Sequence, residues 1–178
     1  MKFIIITYKD NIPFAEETKK ILHDKWDINA EIILGYKVGQ NGLNKNQVLM
    51  AGFRDNITNY DDDIYYLEDD IRFTSNPLDI PTGDIVWSVY RFGKLTNKSA
   101  KRIVGSQAIY FSQKALHLLK EHITKTKLQH IDGYFSKFIL THPQLSFIQL
   151  PKSIGYEQYH ESLITQQKDW IKYTKNPS

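Results

Sequence analysis

Three acids, Glu68-Asp69-Asp70, follow directly on the apolar stretch Ile64-Tyr65-Tyr66-Leu67. A short run of that kind predicts a buried strand, and the stretch 64–73 reads as a central strand breaking into an acidic turn. Along an extended chain alternate residues share a face, so Glu68 and Asp70 are expected to point one way and Asp69 the other. Carboxylates crowded at one strand end repel each other unless a cation joins them, and all-oxygen donors favour Mg2+ or Mn2+. Such ions keep several waters and complete their shells with phosphate oxygens. The plainer alternative is an acidic turn that only keeps a strand end solvated. The chain has no cysteine. Disulfides, a thiolate nucleophile and a thiolate metal site are therefore excluded, and a metal must be held by oxygen or imidazole.

The elements that must position these acids can be read on either side of them. Phe3-Ile4-Ile5-Ile6 with Thr7 and Tyr8 predicts a first strand buried on both faces. Pro13 opens a helix whose stripe is Phe14, Thr18, Ile21, Leu22 and Trp26. A strand at Glu31–Leu34 ends at Gly35, a loop covers 39–42, and Leu49, Phe53 and Ile57 trace a helix over about 44–60. The second half is more mixed. It predicts strands at 85–90, 108–111 and 146–150, helices at 112–122 and 132–141, and beyond Pro151 an irregular tail with one short helix. Alternating strands and helices predict an α/β sheet with right-handed crossovers and binding loops at the strands' carboxyl ends. The 178 residues carry no repeat and no Gly/Ser linker, so one domain is expected. Ordinary composition, with 41% hydrophobic and 24% charged residues, excludes disorder and fibrous repeats. No apolar run reaches membrane length, and Phe3–Ile6 is too short for a signal-peptide core, so a soluble intracellular protein is expected.

Charge is uneven along the chain. The net charge is only +3, yet 61–70 carries six acids and no base. Segment 91–102 carries Arg91, Lys94, Lys98, Lys101 and Arg102 and no acid. A basic loop bordering a site can follow the phosphates of an acceptor, each cation neutralising one. A solvated charge run is the alternative. Eleven tyrosines in a chain with 13% aromatics point to a surface that handles planar groups, or to a large core.

The form Tyr66-Leu67-Glu68-Asp69-Asp70 resembles the DXD-type motif of GT-A fold glycosyltransferases and is similar to the lipopolysaccharide-type glycosyltransferase family 25. The resemblance implies a single-domain GT-A-like (Rossmann-like) mixed sheet flanked by helices over 1–162, with a C-terminal tail at 163–178. It also implies a divalent cation bridging the diphosphate of a nucleotide-sugar, with Glu68 and Asp70 as metal ligands and Asp69 beside the donor. A glycine-containing segment is expected near the donor sugar, and Val104–Tyr110, with Gly105 and Ser106, looks like it; an ordinary turn is the alternative. Ile131-Asp132-Gly133-Tyr134 resembles the acid at a helix start that serves as catalytic base, although Asp132 also suits a helix N-cap. A late histidine is expected at the metal or diphosphate; His160 matches by position and is otherwise a surface residue. Family 25 enzymes are generally longer than this chain.

At the end of the first strand, where an α/β fold places a nucleotide, Thr7 could supply a hydroxyl and Tyr8 a stacking ring. The activity expected is metal-dependent transfer of a sugar, by family analogy from a UDP-sugar, to an acceptor hydroxyl that Asp132 deprotonates, with inversion by direct attack and a retaining route as the alternative. The expected acceptor is a hydroxymethylated base in DNA, as in phage-type glycosyltransferases, acting in the host cytoplasm. The alternative is a lipopolysaccharide or another saccharide. Two other classes remain open: a noncatalytic nucleotide or nucleic-acid binding module, and a metal-dependent nuclease or phosphohydrolase.

Overall fold

In the computed structural model, which describes residues 1–89 and 107–157, the run Phe3–Ile6 lies in strand β1 (Lys2–Thr7). It pairs in parallel with β2 (Ala30–Leu34) on one side and β3 (Ile64–Glu68) on the other. Strand alternation then fills two cores. Ile4 and Ile6 enter one with Phe53 and Tyr66, while Phe3 and Ile5 enter the other with Leu22 and Tyr65. Helix α1 (Ile12–Trp26) carries Pro13 in its first turn, where a missing N–H costs nothing, and buries Ala15, Thr18 and Leu22. It stops at Asp27, whose φ of 55° is a left-handed cap.

Helix α2 (Val48–Ile57) is shorter than the 44–60 the periodicity predicts. Before it, Asn44 Oδ1 accepts from Asn46 N and Gln47 Oε1 accepts from Asn44 N, both at 3.0 Å. Those side chains give the backbone a turn in place of a helix. The second half adds β4 (Ile71–Phe73), β5 (Ile85–Val89), β6 (Ala108–Phe111), helix α3 (Gln113–Lys125), helix α4 (Ile131–Thr141), β7 (Phe147–Gln149) and β8 (Gly155–Glu157). Ser112 caps α3 by accepting from Ala115 N, and α3 runs three residues past the predicted end.

The main sheet has the order β2-β1-β3-β6-β5-β7, with β6 antiparallel to both neighbours and β7 parallel to β5. It is therefore a mixed sheet flanked by helices, as the fold class predicts. Two details differ from the sequence reading. The acidic turn expected after the central strand is present at Asp69 and Asp70, but Asp70 lies beyond the end of β3 and a further strand, β4, follows, so alternation along one strand does not set which acid faces where. Nor is the chain after Pro151 purely irregular. Strand β8 pairs antiparallel with β4, although three residues are too few to show a period in sequence. Gly155 fits there because a Cβ would lie 2.7 Å from the Arg72 carbonyl oxygen. The domain end expected at 162 lies outside the described residues.

The acidic turn is fastened to α1 by a chain of buried hydrogen bonds. Thr18 Oγ1 donates to the Asp69 carbonyl at 2.5 Å. Arg72 Nη1 donates to Thr18 Oγ1 at 2.6 Å and to the Ile71 carbonyl at 2.8 Å, while Nη2 meets Glu17 Oε2 at 2.6 Å. Arg72 is only 7% exposed, so its charge is sustained by these partners.

Two outcomes follow from this packing. Gly52 of α2 sits so close to β2 that a Cβ would lie 2.7 Å from Gly35 Cα and 2.8 Å from the Leu34 oxygen. Gly52→Ala should therefore lower stability by about 1–3 kcal/mol, the overpacking cost outweighing the ~1 kcal/mol gained in helix propensity. Arg72→Met should cost about 2–3 kcal/mol, whereas Glu17→Gln, removing a half-exposed partner, should cost less than about 1 kcal/mol. Urea midpoints at unchanged m-value measure all three.

Candidate functional site

The carboxyl ends of β1 and β3 lie side by side, and the acids of the turn meet the end of β1 there. Thr7, the last residue of β1, is fully buried, and its hydroxyl donates to Asp69 Oδ2 at 2.5 Å. That hydroxyl is committed to holding Asp69, whose backbone carbonyl is held by Thr18. Asp69 and Asp70 are 8% and 5% exposed, and Glu68 is half-buried. The Glu68 N–H donates to the Gln107 carbonyl at 2.9 Å, which ties the turn to the residue before β6.

Tyr8 follows in extended conformation, half-buried. Its phenol is pushed above its ordinary range, mainly by burial, then by the charges of Glu68 and Asp69. Tyr66 on β3 is fully buried, with its ring edge-on to Phe53 at 5.4 Å and to Phe135 of α4 at 5.1 Å. Burial raises its phenol well above the ordinary range, reinforced by Glu68, Asp132, Tyr8 and Asp69 in that order. The electrostatic neighbours of this one hydroxyl therefore join the acidic turn to the first turn of α4. Glu68 and Asp132, far apart in sequence, bear on one place.

Asp132 is not the N-cap of α4. His130 is: its Nδ1 accepts from Asp132 N at 3.4 Å and lies 3.9 Å from Asp132 Oδ2. The Asp132 side chain is 14% exposed, in the first helical turn, where the helix dipole favours a carboxylate. The capping alternative for Asp132 is thus taken by its neighbour.

The donor chemistry fits a hard divalent ion. Glu68 and Asp70 offer carboxylate oxygens, and one or two carboxylates plus water and phosphate are what Mg2+ takes. Among the described residues no three Asp, Glu or His side chains form a metal-binding group. His160, Gly105, Ser106 and the basic set Arg91, Lys94, Lys98, Lys101 and Arg102 lie outside the described residues. Several residues that build the site went unmarked in the sequence reading: Arg72, Glu17, Tyr66, His130 and Gln107. Two signals for them exist. Arg72 interrupts the apolar pair Ile71 and Phe73, and Thr18 occupies a position on the apolar stripe of α1. A buried polar group at either place demands a partner.

No helix among the described residues is long and apolar enough to cross a membrane. No family model matches the sequence, and no curated protein does. Solved structures match by fold. A mutant of Drosophila beta-1,4-galactosyltransferase 7 in complex with manganese, UDP-Gal and xylobiose aligns with TM-score 0.57 at 7% identity, over 99% of this chain and 81% of that one. A glycosyltransferase involved in glycosylation of the major capsid of PBCV-1 aligns with TM-score 0.53 at 9% identity, over 91% and 95%. CTP:phosphocholine cytidylyltransferase from Streptococcus pneumoniae aligns with TM-score 0.54 at 14% identity, over 88% and 92%. Such low identities establish architecture, and the architecture is a mixed α/β sheet of the GT-A-like, Rossmann-like kind.

Proposed function

We propose that this chain is a metal-dependent glycosyltransferase that moves a sugar from a nucleotide-sugar, a UDP-sugar, to an acceptor hydroxyl. The observation that carries the reading is the buried acidic turn at the adjoining carboxyl ends of β1 and β3, held there by Thr7 and Thr18, with the charges of Glu68 and Asp132 both acting on the Tyr66 hydroxyl. The same architecture in a galactosyltransferase complexed with manganese and UDP-Gal supports it.

In this reading Glu68 and Asp70, joined by His160, would hold Mn2+ or Mg2+. When bound, that ion neutralises charge on the donor diphosphate as it leaves. Thr7 keeps Asp69 fixed beside the donor, and the Tyr8 ring stacks on its base, with Gly105 and Ser106 near the donor sugar. Asp132 takes the proton of the acceptor hydroxyl while that oxygen bonds to the anomeric carbon and the bond from that carbon to the nucleotide breaks. Direct displacement inverts the anomeric centre. His130, by satisfying a backbone N–H of the first turn of α4, keeps Asp132 at a fixed place.

The acceptor is a phosphate-bearing one, a hydroxymethylated base in DNA, engaged by Arg91, Lys94, Lys98, Lys101 and Arg102. A saccharide acceptor is the second reading, supported by the xylobiose bound to the fold neighbour.

The experiment is a screen of nucleotide-sugars with Mn2+, reading released nucleotide alone and then with hydroxymethylcytosine DNA or oligosaccharide. Chelation should abolish turnover and Mn2+ restore it. Asp70→Ala should lower metal-dependent release by about 10–100-fold. Asp132→Asn should bind UDP normally yet transfer about 100- to 10,000-fold more slowly; full transfer by this variant would move the base elsewhere. Transfer to DNA should fall steeply between low and moderate salt, whereas transfer to a neutral oligosaccharide should not.

A further inference from the structure

Two buried phenol hydroxyls at the acidic centre have no role in the chemistry above, which uses only the ring of Tyr8. Among the described residues, the hydroxyls of Tyr8 and Tyr66 are occluded and make no hydrogen bond. Their neighbour Tyr65 shows the usual arrangement. On the opposite face of β3, its hydroxyl donates to Ser88 Oγ at 2.5 Å, and Ser88 passes the bond to the Ala108 carbonyl at 3.2 Å. An unpaired buried O–H carries a desolvation cost of about 1–3 kcal/mol. Both phenols lie in the field of the same acids: Glu68 and Asp69 act on both, Asp132 acts on Tyr66, and Tyr8 itself acts on Tyr66. Two occluded donors in the field of the same carboxylates are costly for folding and suited to a ligand.

The charges acting on both hydroxyls are all carboxylates, which narrows the ligand. An anion meeting this spot without a cation would be repelled. A neutral hydroxyl suits it, because each one accepts from a phenol through oxygen and donates to a carboxylate through hydrogen. A ring bearing several hydroxyls is a saccharide. Accessibility fixes the order of contact, since Tyr66 is fully buried and Tyr8 only half-buried. Tyr8 stands at the junction between β1 and the short 3-10 turn Lys9–Asn11, where its side chain can turn toward a ligand without disturbing a strand.

The geometry points to a phenol relay: Tyr66 donates to the Tyr8 oxygen, and Tyr8 donates to a saccharide hydroxyl seated against Glu68 and Asp132. The relay rests on the glycosyl-transfer reading and adds to it the residues that recognise the sugar itself. No bond other than hydrogen bonds forms or breaks.

Tyr66→Phe and Tyr8→Phe test it, with Tyr65→Phe as the contrast. Without ligand, Tyr65→Phe should lower the melting temperature, because Ser88 loses a partner. Tyr66→Phe and Tyr8→Phe should leave it level or raise it, since each removes a donor that was unpaired. With UDP and Mn2+ all variants should gain the same thermal shift as the wild type. The extra shift that UDP-galactose gives over UDP should be lost in both Phe variants, and transfer should fall about three- to tenfold. A drop in melting temperature for Tyr66→Phe matching that of Tyr65→Phe would overturn the relay, because the hydroxyl would then have an internal partner. Wild-type transfer and sugar-dependent shift in both Phe variants would overturn it too. If the wild type ignores UDP and Mn2+ altogether, the nucleotide-sugar reading fails, and free galactose and xylobiose decide the relay alone. A shift present in the wild type and absent from both Phe variants supports it; an equal shift, or none, rejects it.

Discussion

The buried Asp69 is the constraint on which the rest of the structure turns. A carboxylate 8% exposed at the end of a fully apolar strand cannot be left without donors, since the desolvation of an unpaired charge would exceed what the neighbouring contacts return. Thr7 supplies a donor to the carboxylate, and Thr18 supplies one to the carbonyl of the same residue. One of these comes from the neighbouring strand and the other from the helix above it. Satisfying a single acid therefore fixes the relative positions of β1, α1 and the turn. Arg72 completes the arrangement from beyond the turn, bonding Thr18 and returning to Glu17 on α1. The turn is consequently a rigid object, and Glu68 and Asp70 on either side of Asp69 inherit that rigidity.

The mixed pairing of the sheet does the remaining positioning. Because β6 runs antiparallel between β3 and β5, the chain leaving β6 starts α3 at the opposite end from the acidic turn. Helix α4 then returns along the same face, with Phe135 and Tyr134 in the core that Tyr66 also enters. Its first turn comes to the acidic end, and Asp132 with it. Aromatic packing sets this approach. The edge-on contacts of Tyr66 with Phe53 and Phe135 link α2, β3 and α4 through three rings. The tyrosine-rich composition is thus spent in the core as well as beside the acids.

Much of this was legible in the sequence because it depends on periodicity. The Phe3–Ile6 run, the Pro13 helix start, the Ala108–Phe111 strand and the acidic break after Leu67 all follow from local pattern, and each is present at or near its predicted bounds. Pairings that depend on distance were not legible. Strand β8 is three residues with a glycine, and only its contact with Arg72 and Phe73 explains it. The Arg72 latch joins residues from a helix and a strand that no spacing rule connects. Tyr66 read as the apolar start of the acidic motif; what distinguishes it, a hydroxyl without a partner among the described residues, exists only in three dimensions. The cap was read as Asp132 because Ser, Thr, Asn and Asp lead that position on propensity; His130 takes it through a ring nitrogen turned to the Asp132 N–H, which no propensity shows.

Tyr65 and Tyr66 show where stability and function divide on this scaffold. They are adjacent, both fully buried and both on one strand, so propensity and burial treat them alike. Their faces differ. Tyr65 looks into the core shared by Phe3 and Leu67, and its hydroxyl is satisfied by Ser88. Tyr66 lies in the field of Glu68 and Asp132, and its hydroxyl finds no partner among the described residues. A sequence selected for stability alone would carry phenylalanine at the second position, because the ring contacts would remain and the desolvation cost would vanish. Tyrosine there is a local conflict in an otherwise consistent strand, and such conflicts concentrate where a protein meets its ligand. The same logic applies to the acids, which end a strand that apolar residues would have prolonged. Both departures from the stable solution lie on one strand, where the glycosyl-transfer proposal puts the chemistry.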